Sequence, residues 1–169
     1  MATRTLVLVR HAAAEPWSSG GDRSRALSAA GVDQAARLGR LIHPLAPRVD
    51  CAMVSSARRA RQTMAGLARS LAVGRTQVRD DLYLCAPDEA LGSVRALDGS
   101  CAAAMVVGHE PTISAAAWML AASQEERDLV AGGVPTATAL VLRFSGRWAD
   151  LADGSCSLET VHAARWTGP

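Results

Sequence analysis

A chain of 169 residues is long enough for one domain with one sizeable core, expected to run over 1–169. With 49% apolar residues but a single Phe and a single Tyr, aliphatic side chains and the four Trp must fill that core. All 18 basic residues are Arg, the net charge is only +2, and the arginines are scattered along the chain, which excludes a nucleic-acid-binding stripe.

In chain order, Thr5-Leu6-Val7-Leu8-Val9 reads as a buried strand of a parallel sheet, stopped abruptly by Arg10-His11. The spacing after a Gly/Ser-rich loop predicts a helix capped by Ser28, with Val32, Ala35, Gly39 and Ile42 inward and Leu38 and Leu41 widening that face. Pro44 and Pro47 end it, and Val49 to Val54 forms a second strand stopping at Ser55-Ser56. A helix follows with Arg58, Arg59 and Arg61 in its first turns, where basic side chains oppose the helix dipole and a bound anion would offset them. Its apolar face is Ala60, Met64, Leu67 and Leu71, and Gly74 is expected to end it before a short strand at Thr76 to Arg79. Pro87-Asp88-Glu89 opens a third helix that buries Ala90, Leu91, Val94 and Leu97. Cys101 to Val107 is a third long buried run, ending in Gly108-His109-Glu110-Pro111-Thr112 and a helix with Ile113, Ala117 and Leu120 inward. Ser123-Gln124-Glu125-Glu126 fits a capping box for a short helix. Ala137 to Phe144, Arg147 to Leu151 and Ser157 to Ala163 are expected as closing strands.

Strand, loop, helix units followed by strands argue for a three-layer α/β/α sandwich with a mostly parallel central sheet. Cys51, Cys85, Cys101 and Cys156 form no C-x-x-C pair and no metal-ligand spacing, consistent with a reducing cytoplasm. The first apolar run is too short for a signal peptide, and Ala115 to Ala122 is too short to span a bilayer. Parallel strands with right-handed crossovers deliver Arg10-His11, Arg59 and His109 to one sheet edge, where ligands of open α/β sheets bind. Histidine and arginine without nearby carboxylates make a poor metal site and a good phosphate pocket. His43 and His162 read as structural or exposed, and Trp118, Trp148 and Trp166 as packing residues; Trp17, on the loop after Arg10-His11, is the exception to watch.

Four segments in this order resemble the histidine phosphatase superfamily, with its phosphoglycerate-mutase-like fold. They are the opening strand with Arg10-His11, Arg25-Ala26-Leu27-Ser28-x-x-Gly31 with Gln34-Ala35, Ser55-x-x-x-Arg59-Ala60-x-Gln62-Thr63, and Val107-Gly108-His109-x-Pro111. The short length and the Val134-Pro135-Thr136 lead into the late strand resemble its small phosphohistidine phosphatase (SixA) branch. The resemblance implies that His11 attacks phosphorus and forms a transient phosphohistidine. Arg10, Arg59 and His109 would clamp the transferring oxygens, Arg59 being chosen over Arg58 and Arg61 by motif register. No cofactor and no metal are implied. The implied substrate is phosphohistidine in a protein, with no nucleic-acid or membrane partner. The alternatives are a small-molecule phosphomonoesterase, a mutase, or a phospho-binding module without turnover.

Two departures from the family pattern stand out. Ala12 follows His11 where many relatives carry Gly, and Leu84 stands where larger relatives carry a proton-donating Glu. Asp80, Asp81, Asp88 and Glu89 are near enough in sequence to substitute, although their plainer reading is as loop and helix-start acids.

Overall fold

The computed structural model describes residues 2–163; Trp166 lies outside the described residues. The apolar runs become strands β1 (Thr3–Arg10), β2 (Arg48–Ser55), β3 (Ala72–Arg79), β4 (Ala103–Gly108), β5 (Thr138–Ser145) and β6 (Ser157–His162). They form one six-stranded sheet in the order β3-β2-β4-β1-β5-β6. β1 to β4 pair in parallel, whereas β5 runs antiparallel to both β1 and β6. Strand β1 therefore sits inside the sheet with neighbours on both sides, and Leu6, Val7, Leu8 and Val9 are inaccessible to solvent or nearly so.

The helices are α1 (Ala29–Ile42), α2 (Arg58–Leu67), α3 (Pro87–Arg95), α4 (Thr112–Leu120) and the short α5 (Gln124–Asp128). α1 and α2 cover one sheet face, where Leu38, Ile42 and Leu67 pack with Val7, Val9 and Val54. α3 and α4 cover the other, where Leu91, Val94, Ile113 and Leu120 pack with Leu6, Leu8 and Met53. These are the three layers of the α/β/α sandwich. α1 and α2 approach closely because small residues line the seam: a Cβ on Gly66 would come 2.6 Å from the Cβ of Ala35, and one on Gly39 would come 2.9 Å from the Leu67 carbonyl oxygen. Ser28 caps α1 by accepting from Gly31 N–H, and Ser123 and Glu126 form the expected capping box.

Several elements differ from the sequence reading. Val32 and Leu41 are exposed, since the buried face of α1 turns through Gly31, Ala35, Leu38, Gly39 and Ile42. Gly74 does not stop a helix but lies within the edge strand β3, where a Cβ would come 2.5 Å from the Asp50 carbonyl oxygen of the neighbouring strand. Arg147 to Leu151 is no return strand. It folds as a 3-10 turn at Trp148–Asp150, because Trp148 is drawn into the core, where its Nε1–H donates to the Cys101 carbonyl at 2.6 Å. Arg4 fills out the same corner, donating to the carbonyls of Gly146, Cys101 and Gly99. His43 and His162 are exposed as expected. Trp118 is half-exposed instead of packed, and Trp17 projects into solvent.

Candidate active site

Strand register fixes the centre of the site. Arg10 pairs with Gly108 on one side and Thr138 on the other, so the ends of β1 and β4 finish level. His11 N–H then donates to the Gly108 carbonyl at 3.1 Å, and the His11 carbonyl accepts from Ala137 N–H at 3.0 Å. His109 is the next residue of the neighbouring strand, which leaves the two imidazoles 5.1 Å apart between ring centroids.

The tautomer of each ring follows from its partners. A carbonyl can only accept, so the His11 Nδ1, 2.7 Å from the Ala12 oxygen, carries the proton and donates it. Its Nε2 lone pair is then free to accept, and it meets Arg59 Nε at 3.2 Å. His109 Nδ1 faces Arg59 Nη2 at 3.5 Å, so its Nε2–H donates to the Ser55 hydroxyl oxygen at 2.7 Å. Burial, with the positive charges of Arg59 and Arg10 beside it, holds His11 down to about 4, against the opposing effect of the Ala12 bond. His109 is lowered to about 3, again chiefly by burial and then by His11 and Arg59. Both rings are neutral at physiological pH.

Arg59 is the hub. Its side chain is buried, while Arg58 and Arg61 on the same helix are exposed. Nη1 donates to the Asp22 carbonyl at 2.8 Å and Nη2 to the Asp22 carboxylate at 3.0 Å. The Tyr83 hydroxyl donates to the same carboxylate, and the Tyr83 ring stands edge-on to His109 at 5.6 Å. That Tyr83 bond, seconded by Arg59, lowers Asp22 to about 2. Asp22 corrects the expectation of a site without nearby carboxylates, and the sequence pattern points to neither Asp22 nor Tyr83. Asp22 sits in a Gly/Ser-rich loop with no periodic pattern, and its only signal was an acid lying between Arg10-His11 and the arginine-rich helix.

Arg10 leans the other way. Its Nη1 donates to the Val134 carbonyl, and its Nε is buried with no partner among the described residues. The remaining motif residues hold the loop between β1 and α1. Gln34 accepts from Ala13 N–H at 3.0 Å, and Gln62 accepts from Leu27 N–H at 2.7 Å. Ala12 is fully buried, and its N–H donates to the Thr63 hydroxyl at 3.0 Å, which in turn donates to the Arg59 carbonyl at 2.7 Å.

Arg10, His11, Arg59 and His109 thus come together at one sheet edge. The acids of the 80–89 segment are engaged elsewhere. Asp80 pairs with Arg23, Asp81 with Arg79 and Asp88 with Arg95. Glu89 accepts from Ala86 N–H at 2.7 Å at the start of α3. Leu84 is 86% exposed. Two neutral imidazoles flanked by two guanidiniums suit a tetrahedral oxyanion and offer an unprotonated nitrogen as nucleophile.

Residues 6–83 match the family model of the histidine phosphatase superfamily, branch 1. The chain is similar to a solved structure assigned as phosphohistidine phosphatase SixA from Nakamurella multipartitia, with 36% identity over 96% of this chain and 97% of that one and a TM-score of 0.82. A second solved structure with the same assignment, from Agrobacterium tumefaciens, is 28% identical over 82% of this chain and 91% of that one, with a TM-score of 0.72. An uncharacterized protein of Mycobacterium tuberculosis is 32% identical over 161 residues, covering 93% of this chain and all of that one.

Proposed function

The chain belongs to the histidine phosphatase superfamily and is a histidine-type phosphatase, and on that footing we propose that it removes phosphate from phosphohistidine in a protein, without a metal, through a phosphoenzyme on His11. The observation that carries this reading is the His11 tautomer, with Nδ1–H given to the Ala12 carbonyl and the Nε2 lone pair facing Arg59. His11 Nε2 attacks phosphorus in line. The Arg59 donor resting on Nε2 passes to a phosphoryl oxygen as the new bond forms, while Arg10 and neutral His109 hold the others. Water then attacks the phosphoenzyme, the phosphorus–Nε2 bond breaks, and both water hydrogens leave on dihydrogen phosphate. His11 is returned neutral, with its Nδ1–H still donated to the Ala12 carbonyl.

One observation and one chemical fact favour a phosphoramidate over an ester. The carboxylates of the 80–89 segment are all tied to other partners, so that segment supplies no proton for a departing alkoxide. Imidazole needs none, because its conjugate acid has a pKa of about 6.5. Independence from metal rests on the donor set: among the described residues no group of three or more His, Cys, Asp or Glu side chains converges to hold an ion. No described helix is long and apolar enough to cross a membrane.

Incubation with a phosphohistidine protein and an alkaline quench should trap an alkali-stable, acid-labile phosphoenzyme in the wild type. His11→Gln should give no trapped species and no turnover, and a chelator should leave the wild-type rate unchanged. Near-normal turnover by His11→Gln would remove His11 from the mechanism, and activity dependent on an added divalent ion would refute metal independence.

A further inference from the structure

Beside the oxyanion clamp lies a set of groups that the chemistry above leaves unused. A cavity of about 830 Å³ opens next to Arg10, bounded by Glu110, Trp118, Met119, Val134 and Pro135. That size falls within the range of roughly 300–1,000 Å³ common for small-molecule sites. Its wall is mostly hydrocarbon and indole, and Trp118 is 44% exposed there.

Glu110 is the polar feature of this wall, one residue past His109 in the turn between β4 and α4. Its Oε2 accepts from the Ser114 hydroxyl and lies against Gly133, where a Cβ would be only 3.5 Å away. Its Oε1 is buried and has no hydrogen-bond partner among the described residues. A buried carboxylate oxygen without a donor is destabilising, so the site is built to receive one. Arg10 Nε is buried and unpartnered in the same manner. Arg10 and Glu110 both line the cavity, so a donor suited to a phosphoryl oxygen and an acceptor lie just beneath its largely apolar wall, each without a partner among the described residues. A planar ring carrying an N–H matches that pair.

Building on the phosphohistidine reading, we propose that Glu110 accepts the N–H of the departing imidazole and so determines preference for phosphoramidates over phosphate esters. As the His11 Nε2–phosphorus bond forms, the phosphorus–nitrogen bond of the substrate breaks and its electron pair stays on the leaving nitrogen. The distal nitrogen keeps its proton, hydrogen-bonded to Oε1, and the imidazole departs neutral with no proton transferred. By favouring the protonated distal nitrogen, the carboxylate keeps the substrate in its better-leaving form. An ester oxygen has no N–H to offer Glu110.

The test compares wild type with Glu110→Gln on phosphoimidazole and on 4-nitrophenyl phosphate. The ratio of the two kcat/KM values should fall by about 10- to 100-fold, the loss expected for a charge-assisted hydrogen bond. The basic limb of kcat for phosphoimidazole should move to lower pH, because the amide no longer holds the distal proton in the bound complex. Ser114→Ala, which frees Oε2, should shift the ratio in the same direction by less, and it provides a second readout if Glu110→Gln folds poorly. An equal loss on both substrates with an unmoved basic limb would reduce Glu110 to a structural residue and overturn the proposal. So would a larger loss on the aryl ester, which would make Glu110 a proton donor. A wild type that hydrolyses 4-nitrophenyl phosphate but not phosphoimidazole would overturn the phosphohistidine reading as well. An active wild type whose selectivity survives both substitutions would overturn the role of Glu110 alone.

Discussion

Replacing His11 should make the protein more resistant to acid. In the folded state His11 stays neutral down to about pH 4, chiefly because it is buried. In the unfolded chain its pKa returns to about 6.5. Below 6.5 the unfolded state therefore binds a proton that the folded state refuses, and stability falls with pH until the folded state also titrates near 4. Above 6.5 this residue costs the fold nothing. At pH 5 the difference amounts to about 2 kcal/mol in favour of unfolding, from one group shifted down to about 4. His11→Gln removes the titrating ring while keeping a hydrogen-bonding side chain. Whatever constant offset the substitution introduces, the variant should gain about 2 kcal/mol relative to wild type between pH 7.5 and pH 5. Urea unfolding at the two pH values measures this directly, since each linear extrapolation yields a free energy and the offset cancels. Parallel loss of stability by the two proteins would mean that His11 is not held neutral in the folded state, and the argument for a free Nε2 lone pair would go with it.

Two further outcomes are expected. Across phosphate substrates of graded leaving-group pKa, kcat/KM should fall steeply between imidazole-like groups near 6.5 and alkoxides near about 15.7; a flat profile would require a proton donor for the leaving group. Gly31→Ala should destabilise the protein by about 3 kcal/mol, lowering Tm by roughly 6–12 °C, because its Cβ would lie 1.9 Å from the Ala13 carbonyl oxygen; a thermal melt that matches wild type would contradict that close approach.

The interior of the fold was legible because hydrophobic runs and strand order constrain each other. Leu6 to Val9, Cys51 to Val54 and Ala104 to Val107 are continuous apolar segments that only a doubly covered sheet can bury, and all three do so. Arg147 to Leu151 misled because a short apolar pair, Trp148 and Leu151, can be buried by a 3-10 turn as readily as by a strand. Val32 and Leu41 misled because α1 approaches α2 through glycine and alanine, which carry little weight in a hydrophobic pattern. In the site, the clustering of Arg10, His11, Arg59 and His109 could be anticipated because Arg10, His11 and His109 end a strand or follow one directly, and Arg59 lies in the first turn of the helix after β2. Asp22 and Tyr83 could not, because their meeting depends on how an aperiodic loop and the segment after β3 fold back over α2. Glu110 was visible as a letter beside His109, but its place in a cavity wall depends on the distant 130–135 segment.

The chain of bonds from Ala12 N–H to the Thr63 hydroxyl and on to the Arg59 carbonyl joins residues about fifty positions apart. One hydroxyl thereby ties the backbone just after His11 to the turn of α2 that carries its guanidinium neighbour. The spacing of the backbone after His11 from that of Arg59 is consequently held without help from either side chain's rotamer. It is inherited from the docking of α2 against the sheet, and a small drift of that helix carries Arg59 and the loop after His11 along together. A state in which α2 has come loose does not contain a weakened site; it contains none. Inactivation by partial unfolding should therefore be abrupt, with undocking of a single helix abolishing function while most of the sheet is still formed.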